Sequence, residues 1–79
     1  MSALRSVSVK LNRTDAVRRF VNITNRFPYA IELRQDRFVV DAKSLLGIFS
    51  LDLTRPLTVD IYADQCEILL NDLERLDAI

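Results

Sequence analysis

The sequence predicts a single α+β domain, an open-faced two-layer sandwich with the element order β-α-β-β-α-β-α. The 79 residues are 49% apolar and 28% charged, as in an ordinary globular protein. Each predicted strand also has only one apolar face. Because such a strand buries one side only, we expect helices to cover one face of a mostly antiparallel sheet and water to wet the other. The domain is predicted to span residues 1–79.

The first half of the chain contains three predicted strands and a helix. Residues 6–11 alternate apolar and polar side chains, as a half-buried strand does. Thr14 is predicted to cap a helix whose apolar positions recur at spacings of three and four. That helix is expected to end at Pro28, because the residue before a proline avoids the helical region. A hairpin follows over residues 31–40, with Gln35-Asp36 as its turn and RFVV, residues 37–40, as its second strand. Because that turn lacks glycine, we expect a strained or longer connection.

The second half contains two helices around the clearest strand. Ser44 is predicted to open a short helix over residues 45–50. The strand over residues 57–62 alternates apolar and polar side chains. Asp64 and Glu67 have the spacing of a capping box before the last helix. The last helix is predicted to turn one stripe of side chains to the core: Cys66, Leu69, Leu70, Leu73 and Leu76.

Composition argues against several classes of function. The sequence has no histidine and one cysteine, Cys66, so it offers neither an internal disulfide nor a zinc-type Cys/His cluster. Cys66 is interpreted as a small buried residue. Apolar runs are far shorter than the ~20 residues that span a bilayer, and the amino terminus lacks the apolar block of a signal peptide. We therefore expect a cytoplasmic protein without membrane insertion, metal, cofactor or enzymatic activity.

The net charge is zero, but the charges are unevenly distributed. Residues 1–37 contain eight Lys/Arg and three Asp/Glu, whereas residues 38–79 contain three and eight. Either a basic face meets an acidic partner, or the arginines occupy the solvent side of one helix. Nucleic-acid binding is not expected, because the strand positions predicted to be exposed offer one aromatic side chain and no basic cluster. Those positions are Ser6, Ser8, Thr58, Asp60 and Tyr62.

The stretch KSLLGIFSL, residues 43–51, and the order of elements around it resemble HPr, the small phosphocarrier family of the bacterial sugar phosphotransferase system. The family typically reads Lys-Ser-Ile-Met-Gly-Val-Met-Ser-Leu-Gly at this place, and this chain has Asp52 where the final glycine falls. IYAD, residues 61–64, is similar to the family's fourth strand and its exit. The resemblance extends without gaps over about residues 10–76 and implies the HPr fold.

The chain departs from the family at the carrier site. HPr proteins carry phosphate on a histidine in a His-Ala-Arg-Pro stretch, which falls on residues 13–16. Arg13 replaces the histidine and Asp15 replaces the arginine. A guanidinium has no lone pair to attack phosphorus, and a carboxylate repels the phosphate that the family arginine steadies. We therefore predict no histidine phosphocarrier activity. Asp15 and Cys66 are alternative acceptors, but neither has recognisable activating neighbours.

Ser44 is the predicted regulatory phosphorylation site. In the resembled family, the equivalent serine of some members is phosphorylated by HPr kinase, and the product binds a catabolite repressor. The start of a helix favours added negative charge, and phosphorylation adds about −1.5 to −2 charge. The alternative is that Ser44 serves only as a helix cap, worth about 1 kcal/mol. Both interpretations stay open at this point.

The residues around Ser44 are predicted to bind protein partners. Helical spacing places Leu45 and Ile48 toward the core and leaves Leu46 and Phe49 more exposed. By position, the family's partner contacts fall on Lys43, Leu45, Leu46, Phe49, Arg18 and Asn22. The resemblance implies HPr kinase, a catabolite repressor or enzyme I-like proteins as partners of a monomer or weak homodimer. The alternative is a repurposed HPr-fold protein in which this surface is a structural or oligomeric interface.

Overall fold

Within the described residues, seven elements of secondary structure follow one another in the predicted order. The computed structural model describes residues 3–76 and 78, so Met1, Ser2, Asp77 and Ile79 of the predicted domain lie outside the described residues. The elements are β1 Arg5–Val9, α1 Thr14–Thr24, β2 Ile31–Gln35, β3 Phe38–Asp41, α2 Leu45–Phe49, β4 Leu57–Ile61 and α3 Glu67–Arg75. The predicted order β-α-β-β-α-β-α is confirmed.

The strands of the described residues form one antiparallel sheet in the order β1-β4-β2-β3. β4 lies inside the sheet, where Val59 is opposite Val7 of β1 on one side and Leu33 of β2 on the other. β2 and β3 form a hairpin in which Leu33 is opposite Val40. β1 and β3 are therefore the two edge strands.

The three helices cover one face of this sheet, and the core lies between the two layers. Each layer contributes fully buried aliphatic or aromatic side chains, and each of these stabilises the fold by about 1.5–3 kcal/mol relative to exposure. The largest are Phe20, Leu11, Ile31, Leu33, Ile48, Leu57, Ile61, Leu69 and Leu73. Cys66 is buried as predicted, whereas Leu70 is only partly buried against the core. The two-layer α+β fold class is confirmed.

Both ends of α1 differ from the prediction. Arg13 is the N-cap residue and makes no side-chain capping hydrogen bond, while Thr14 is already helical. The helix ends at Thr24 with Asn25 as its C-cap, and the next two amide groups donate to carbonyls three residues back. This tightening of the last turn ends the helix before Pro28 is reached. The prediction that Pro28 stops the helix was therefore wrong.

The predicted capping box before α3 was also wrong. Cys66 is the N-cap residue, and its side chain makes no capping hydrogen bond. A capping box needs the acidic residue three positions after the cap, whereas Glu67 directly follows Cys66. Glu67 in the first turn and Arg75 in the last turn instead match the direction of the helix dipole.

The first strand is shorter than predicted. β1 ends at Val9, although Leu11 is still fully buried. Lys10 explains the difference, because its N–H donates to the carbonyl of Ala78 at 2.9 Å. The chain after Val9 therefore bonds to the carboxyl-terminal segment and no longer to β4.

The β2–β3 turn is short and contains a left-handed residue. Gln35 is opposite Phe38, which leaves Asp36 and Arg37 as a two-residue connection. The predicted turn Gln35-Asp36 was therefore one residue too early, because Gln35 still pairs in β2. Asp36 has φ 55°, in the left-handed region that aspartate adopts more readily than most residues. The expected strain is present at Asp36, and the alternative of a longer connection was wrong.

The uncovered face of the sheet carries a polar network. Asp60 lies on this face, but the residue is only 7% exposed, so its predicted exposure was wrong. Its carboxylate accepts a hydrogen bond from Ser6 Oγ at 2.6 Å and two from Arg34, from Nε at 2.8 Å and Nη2 at 3.2 Å. Beside it, the Tyr62 hydroxyl donates to Glu32 Oε1 at 2.7 Å. These neighbouring side chains shield the carboxylate from water.

The same contacts set the titration of Asp60. The hydrogen bond from Arg34 is the main reason that the pKa of Asp60 lies below its usual value; burial opposes this effect, and Ser6 adds to it. Because the pKa is lower in the folded chain than in the unfolded chain, Asp60 stabilises the fold above about pH 4. That contribution is lost as the pH falls through the lowered pKa.

We predict that Arg34→Met lowers the free energy of unfolding at pH 7 by about 1–3 kcal/mol, because it leaves a nearly buried carboxylate with Ser6 as its remaining side-chain donor. The difference in unfolding free energy between Arg34→Met and the wild type should become smaller as the pH falls and Asp60 becomes protonated. Urea denaturation at a series of pH values from 7 downward measures both effects.

Arg55→Met is the matched control for this experiment. Arg55 pairs with Asp36 and Asp52 in exposed contacts, which are worth about 0.5 kcal/mol or less. If Arg34→Met and Arg55→Met lower the free energy of unfolding equally, the Asp60 network stabilises the fold no more than an exposed ion pair does.

Candidate functional site

Ser44 caps α2 as the sequence predicted. Its backbone is extended, with φ −109° and ψ 113°, and its Oγ accepts a hydrogen bond from the Gly47 N–H at 3.1 Å. The Ser44 carbonyl accepts from the Ile48 N–H at 3.1 Å, and its own N–H donates to the Asp41 carbonyl at 3.0 Å. The hydroxyl is thus held at a half-buried position where the helix starts.

Two polar residues at the end of α1 hold the segment that leads into α2. Thr24 is fully buried and donates from Oγ1 to the Ala42 carbonyl at 2.8 Å. Asn25 donates from Nδ2 to the Lys43 carbonyl at 3.2 Å. The sequence analysis missed both residues. The available signal was a threonine within the apolar stripe of α1, because a buried hydroxyl needs an acceptor.

Lys43, a predicted partner-binding residue, has contacts within the fold. Its Nζ donates to the carbonyls of Phe27 at 2.6 Å and Tyr29 at 2.8 Å, while its N–H donates to Asp41 Oδ1 at 2.8 Å. The ammonium therefore ties the segment after α1 to the start of α2. A direct contact of Lys43 with a partner stays a prediction.

Gly47, the glycine of the opening turn of α2, is needed for close packing. A Cβ atom at this position would lie 3.3 Å from both Ser44 Oγ and Val40 Cβ. Its φ is not positive, so the constraint is space and not a left-handed backbone. The absent side chain lets α2 lie close to β3 while Ser44 caps the helix.

The helical spacing correctly predicted which of the four apolar residues of α2 are buried and which are exposed. Ile48 is fully buried and Leu45 is partly buried against the core. Leu46 is 83% exposed and Phe49 is 42% exposed. The predicted contacts on α1, Arg18 and Asn22, are also exposed.

Arg13 and Asp15, the residues predicted to replace the carrier histidine and its arginine, form an exposed ion pair. Arg13 Nε lies 3.3 Å from Asp15 Oδ1, and Arg13 Nη2 lies 3.4 Å from Oδ2. The side chains are 74% and 58% exposed, respectively. The Arg13 guanidinium thus faces a carboxylate, and an exposed ion pair adds little to stability. That Arg13 stands at the family's carrier position stays a prediction.

Residues 3–76 and 78 offer neither a metal site nor a membrane-spanning helix. That part of the chain has no group of three or more His, Cys, Asp or Glu side chains that could hold a metal ion. Nor does it have a helix with the length and apolar character needed to cross a membrane.

Comparison with known proteins places this geometry in a family. A family model described as "PTS HPr component phosphorylation site" matches residues 13–76. The crystal structure of HPr-C-His from Thermoanaerobacter tengcongensis matches with a TM-score of 0.77 and 22% identity, over 92% of this chain and 90% of that chain. Phosphocarrier protein HPr from Bacillus anthracis str. Ames matches with a TM-score of 0.69 and 25% identity, over 91% and 94%. A search of curated protein sequences finds no match.

The open-faced fold and the family match define a small protein related to the bacterial phosphotransferase system. Since the family model covers most of the chain, this protein belongs to the HPr family. The family predicted from residues 43–51 is confirmed. HPr proteins are phosphocarriers and not catalytic enzymes, so the family implies that the chain acts with protein partners.

We predict that Ser44→Ala lowers the free energy of unfolding by about 1 kcal/mol, because it removes the acceptor for the Gly47 N–H. Ser44→Asp should retain most of this stability, since aspartate is an equally good N-cap and its charge is favourable at the start of a helix. Urea denaturation of the three proteins at neutral pH measures the difference.

The control is Ser50→Ala, which removes an exposed hydroxyl that donates to the Gly47 carbonyl at 2.6 Å. We expect a change within about 0.5 kcal/mol for this surface substitution. If Ser44→Asp is as destabilising as Ser44→Ala, the capping role assigned to the side chain is wrong.

Proposed function

We propose that this chain is a regulatory or adaptor member of the HPr family that acts in the cytoplasm through protein contacts. It does not carry phosphate on histidine, and phosphorylation of Ser44 switches its contacts. The observation that carries the proposal is the combination of a retained serine cap with the loss of the carrier group. The chain keeps Ser44 and the helix that it caps, while its sequence contains no histidine.

The loss of carrier activity follows from the chemistry of residues 13–16. A phosphocarrier needs a ring nitrogen of near-neutral pKa that attacks phosphorus and later leaves readily. Arg13 offers a protonated guanidinium instead. The Asp15 carboxylate pairs with that guanidinium and would repel an incoming phosphate. Neither side chain supports phosphoryl transfer from an enzyme I-like donor.

The position of Ser44 suits a charge switch that leaves the fold intact. Its Oγ already contacts the Gly47 N–H, and phosphate oxygens are stronger acceptors than a hydroxyl. The segment around it is held by Thr24, Asn25 and Lys43. Phosphorylation would therefore add charge to a fixed surface and would not need to unfold α2.

An exposed apolar surface lies beside Ser44. We name it the docking surface and define it by Leu46 and Phe49 of α2, together with the exposed Arg18 and Asn22 of α1, which the family's partner contacts assign to it by position. Leu46 exposes 83% of its area, so it gains from burial against a partner. Apolar side chains with an arginine at the rim are typical of protein interfaces. The added phosphate at Ser44 would change the charge next to this surface.

We predict that HPr kinase with ATP phosphorylates the wild type and leaves Ser44→Ala unmodified, because Ser44 Oγ is the proposed acceptor. Enzyme I with phosphoenolpyruvate should leave both proteins unmodified, since no histidine is present. Intact-mass spectrometry detects the added phosphate in each reaction.

Ser50→Ala is the control for the kinase reaction, since Ser50 is the other hydroxyl next to Gly47 and its loss should not prevent phosphorylation. A wild type without added mass would disprove the Ser44 switch, although the docking surface could still act. A stable phospho-adduct formed by enzyme I would disprove the proposed loss of carrier activity.

A second candidate function is favoured by the same exposed side chains. In a repurposed HPr-fold protein, Leu46 and Phe49 would form a structural interface, such as a homodimer, and not a regulated contact. This alternative requires an assembly that persists at high salt, because apolar burial is insensitive to ionic screening.

We predict that Phe49→Asp weakens binding to HPr kinase about tenfold or more, because it places a charge in an apolar contact. Titration calorimetry or fluorescence anisotropy measures the dissociation constant. Ile68→Asp is the control: Ile68 is 70% exposed on α3 and lies outside the docking surface, so its substitution should leave the affinity unchanged. A salt-resistant dimer that Phe49→Asp dissociates would support the structural interface instead.

A further inference from the structure

β3 presents an open and apolar edge of the sheet. Among the described residues, β3 pairs with β2 alone, since it ends the order β1-β4-β2-β3. Phe38 and Val39 are 64% and 53% exposed. Unpaired edges are usually protected by lysine, proline or a bulge, and the short run Phe38, Val39, Val40 contains neither lysine nor proline.

The hairpin register determines which backbone groups face this edge. The Ala42 N–H donates to the Ile31 carbonyl of β2 at 3.0 Å. Because the bonding direction alternates along an antiparallel strand, Val40 also bonds toward β2, whereas Val39 and Asp41 point away from it. The Asp41 carbonyl accepts from the Ser44 N–H. The Val39 N–H, the Val39 carbonyl and the Asp41 N–H therefore face the open edge.

We propose that two copies of this chain associate through β3, antiparallel, about a two-fold axis at Val39. In this register, Val39 pairs with Val39 of the partner subunit in mutual hydrogen bonds between N–H and carbonyl. Arg37 lies opposite Asp41 of the partner subunit, where the Asp41 N–H donates to the Arg37 carbonyl. Phe38 lies opposite Val40 of the partner subunit, so apolar side chains meet on the helix side of the sheet.

The charge pattern favours a second copy as the occupant of this edge. The segment RFVVD, residues 37–41, has opposite charges at its two ends. Antiparallel self-pairing centred on Val39 places these charges opposite each other twice, and each such pair contributes about 0.2–1 kcal/mol. Parallel pairing in register would place like charges side by side. The segment is therefore complementary to itself in one orientation.

The same geometry limits the strength of the association. β3 has four residues, and the pairing adds two hydrogen bonds at Val39 and two from the Asp41 amides. This is a small contact compared with stable interfaces, so we expect a reversible dimer whose population rises with concentration. The joined sheet would contain four strands from each copy.

We predict that Val39→Cys forms a disulfide-linked dimer under mild oxidation at least about ten times faster than Phe38→Cys. Directly opposite Cα atoms in a hydrogen-bonded pair lie about 5.5 Å apart, within disulfide reach. In the proposed register, the two Phe38 positions lie about 8 Å apart or more, beyond that reach.

Both variants retain the buried Cys66, and Phe38 is the more exposed site, which makes Phe38→Cys a stringent control. Non-reducing gel electrophoresis over time measures both rates.

A charge exchange tests the register independently. Arg37→Asp should weaken self-association about tenfold, because two attractive pairs become repulsive. Adding Asp41→Arg to this variant should restore the affinity to within about threefold, since the pairs are again opposite in sign. Sedimentation velocity over roughly 10 µM to 1 mM protein measures the dissociation constants. Thermal unfolding confirms that the double variant is folded, because Asp41 also accepts from the Lys43 N–H.

Equal cross-linking of the two cysteine variants would overturn the proposal, as would a wild type that stays monomeric up to the highest concentration. An affinity unchanged by Arg37→Asp would overturn the register. These outcomes are independent of the kinase reaction at Ser44. They are also distinct from a dimer through the docking surface, which Phe49→Asp and not Arg37→Asp would dissociate.

Discussion

The part of the chain that the structure describes depends on one constraint: its four-stranded sheet buries only one of its faces. β1, β2 and β4 direct their apolar side chains to the same side, and α1, α2 and α3 supply Phe20, Ile48 and Leu69 to cover them. β3 departs from this pattern, since Val39 is opposite Arg34 on the uncovered face. α2 has only five residues, so it cannot bury side chains on all sides. The burial of Ile48 therefore directs Leu46 to the solvent and sets Ser44 at an accessible helix start.

The residues around Ser44 that stabilise the fold are also the residues on which the proposed function depends. Thr24 and Asn25 at the end of α1 bond to the two carbonyls before Ser44, and Lys43 bonds to the segment after α1. These hydrogen bonds fix the start of α2 relative to α1, which supports the proposal that phosphorylation of Ser44 adds charge without unfolding α2. Capping and regulation are therefore compatible roles for this serine.

Membership of the HPr family and loss of the carrier group are compatible, because the fold and the carrier chemistry rest on different residues. The fold requires the inner side chains of the sheet and helices, which this chain retains. The carrier chemistry requires a histidine ring nitrogen, and this sequence contains no histidine. We propose that Arg13, which forms an ion pair with Asp15, stands at the carrier position. We propose that what remains of the family's function is recognition, with charge at Ser44 as its control.

The sequence by itself determined the element order, the exposure of Leu46 and the cap at Ser44, because these follow from periodicity and from contacts within a few residues. It also determined the absence of a carrier histidine. Only the tertiary structure decided that Asp60 is covered by Arg34 and Ser6, and that Thr24 holds the loop before α2. Those features depend on partners 18 to 54 residues away, and local patterns do not reveal such pairings.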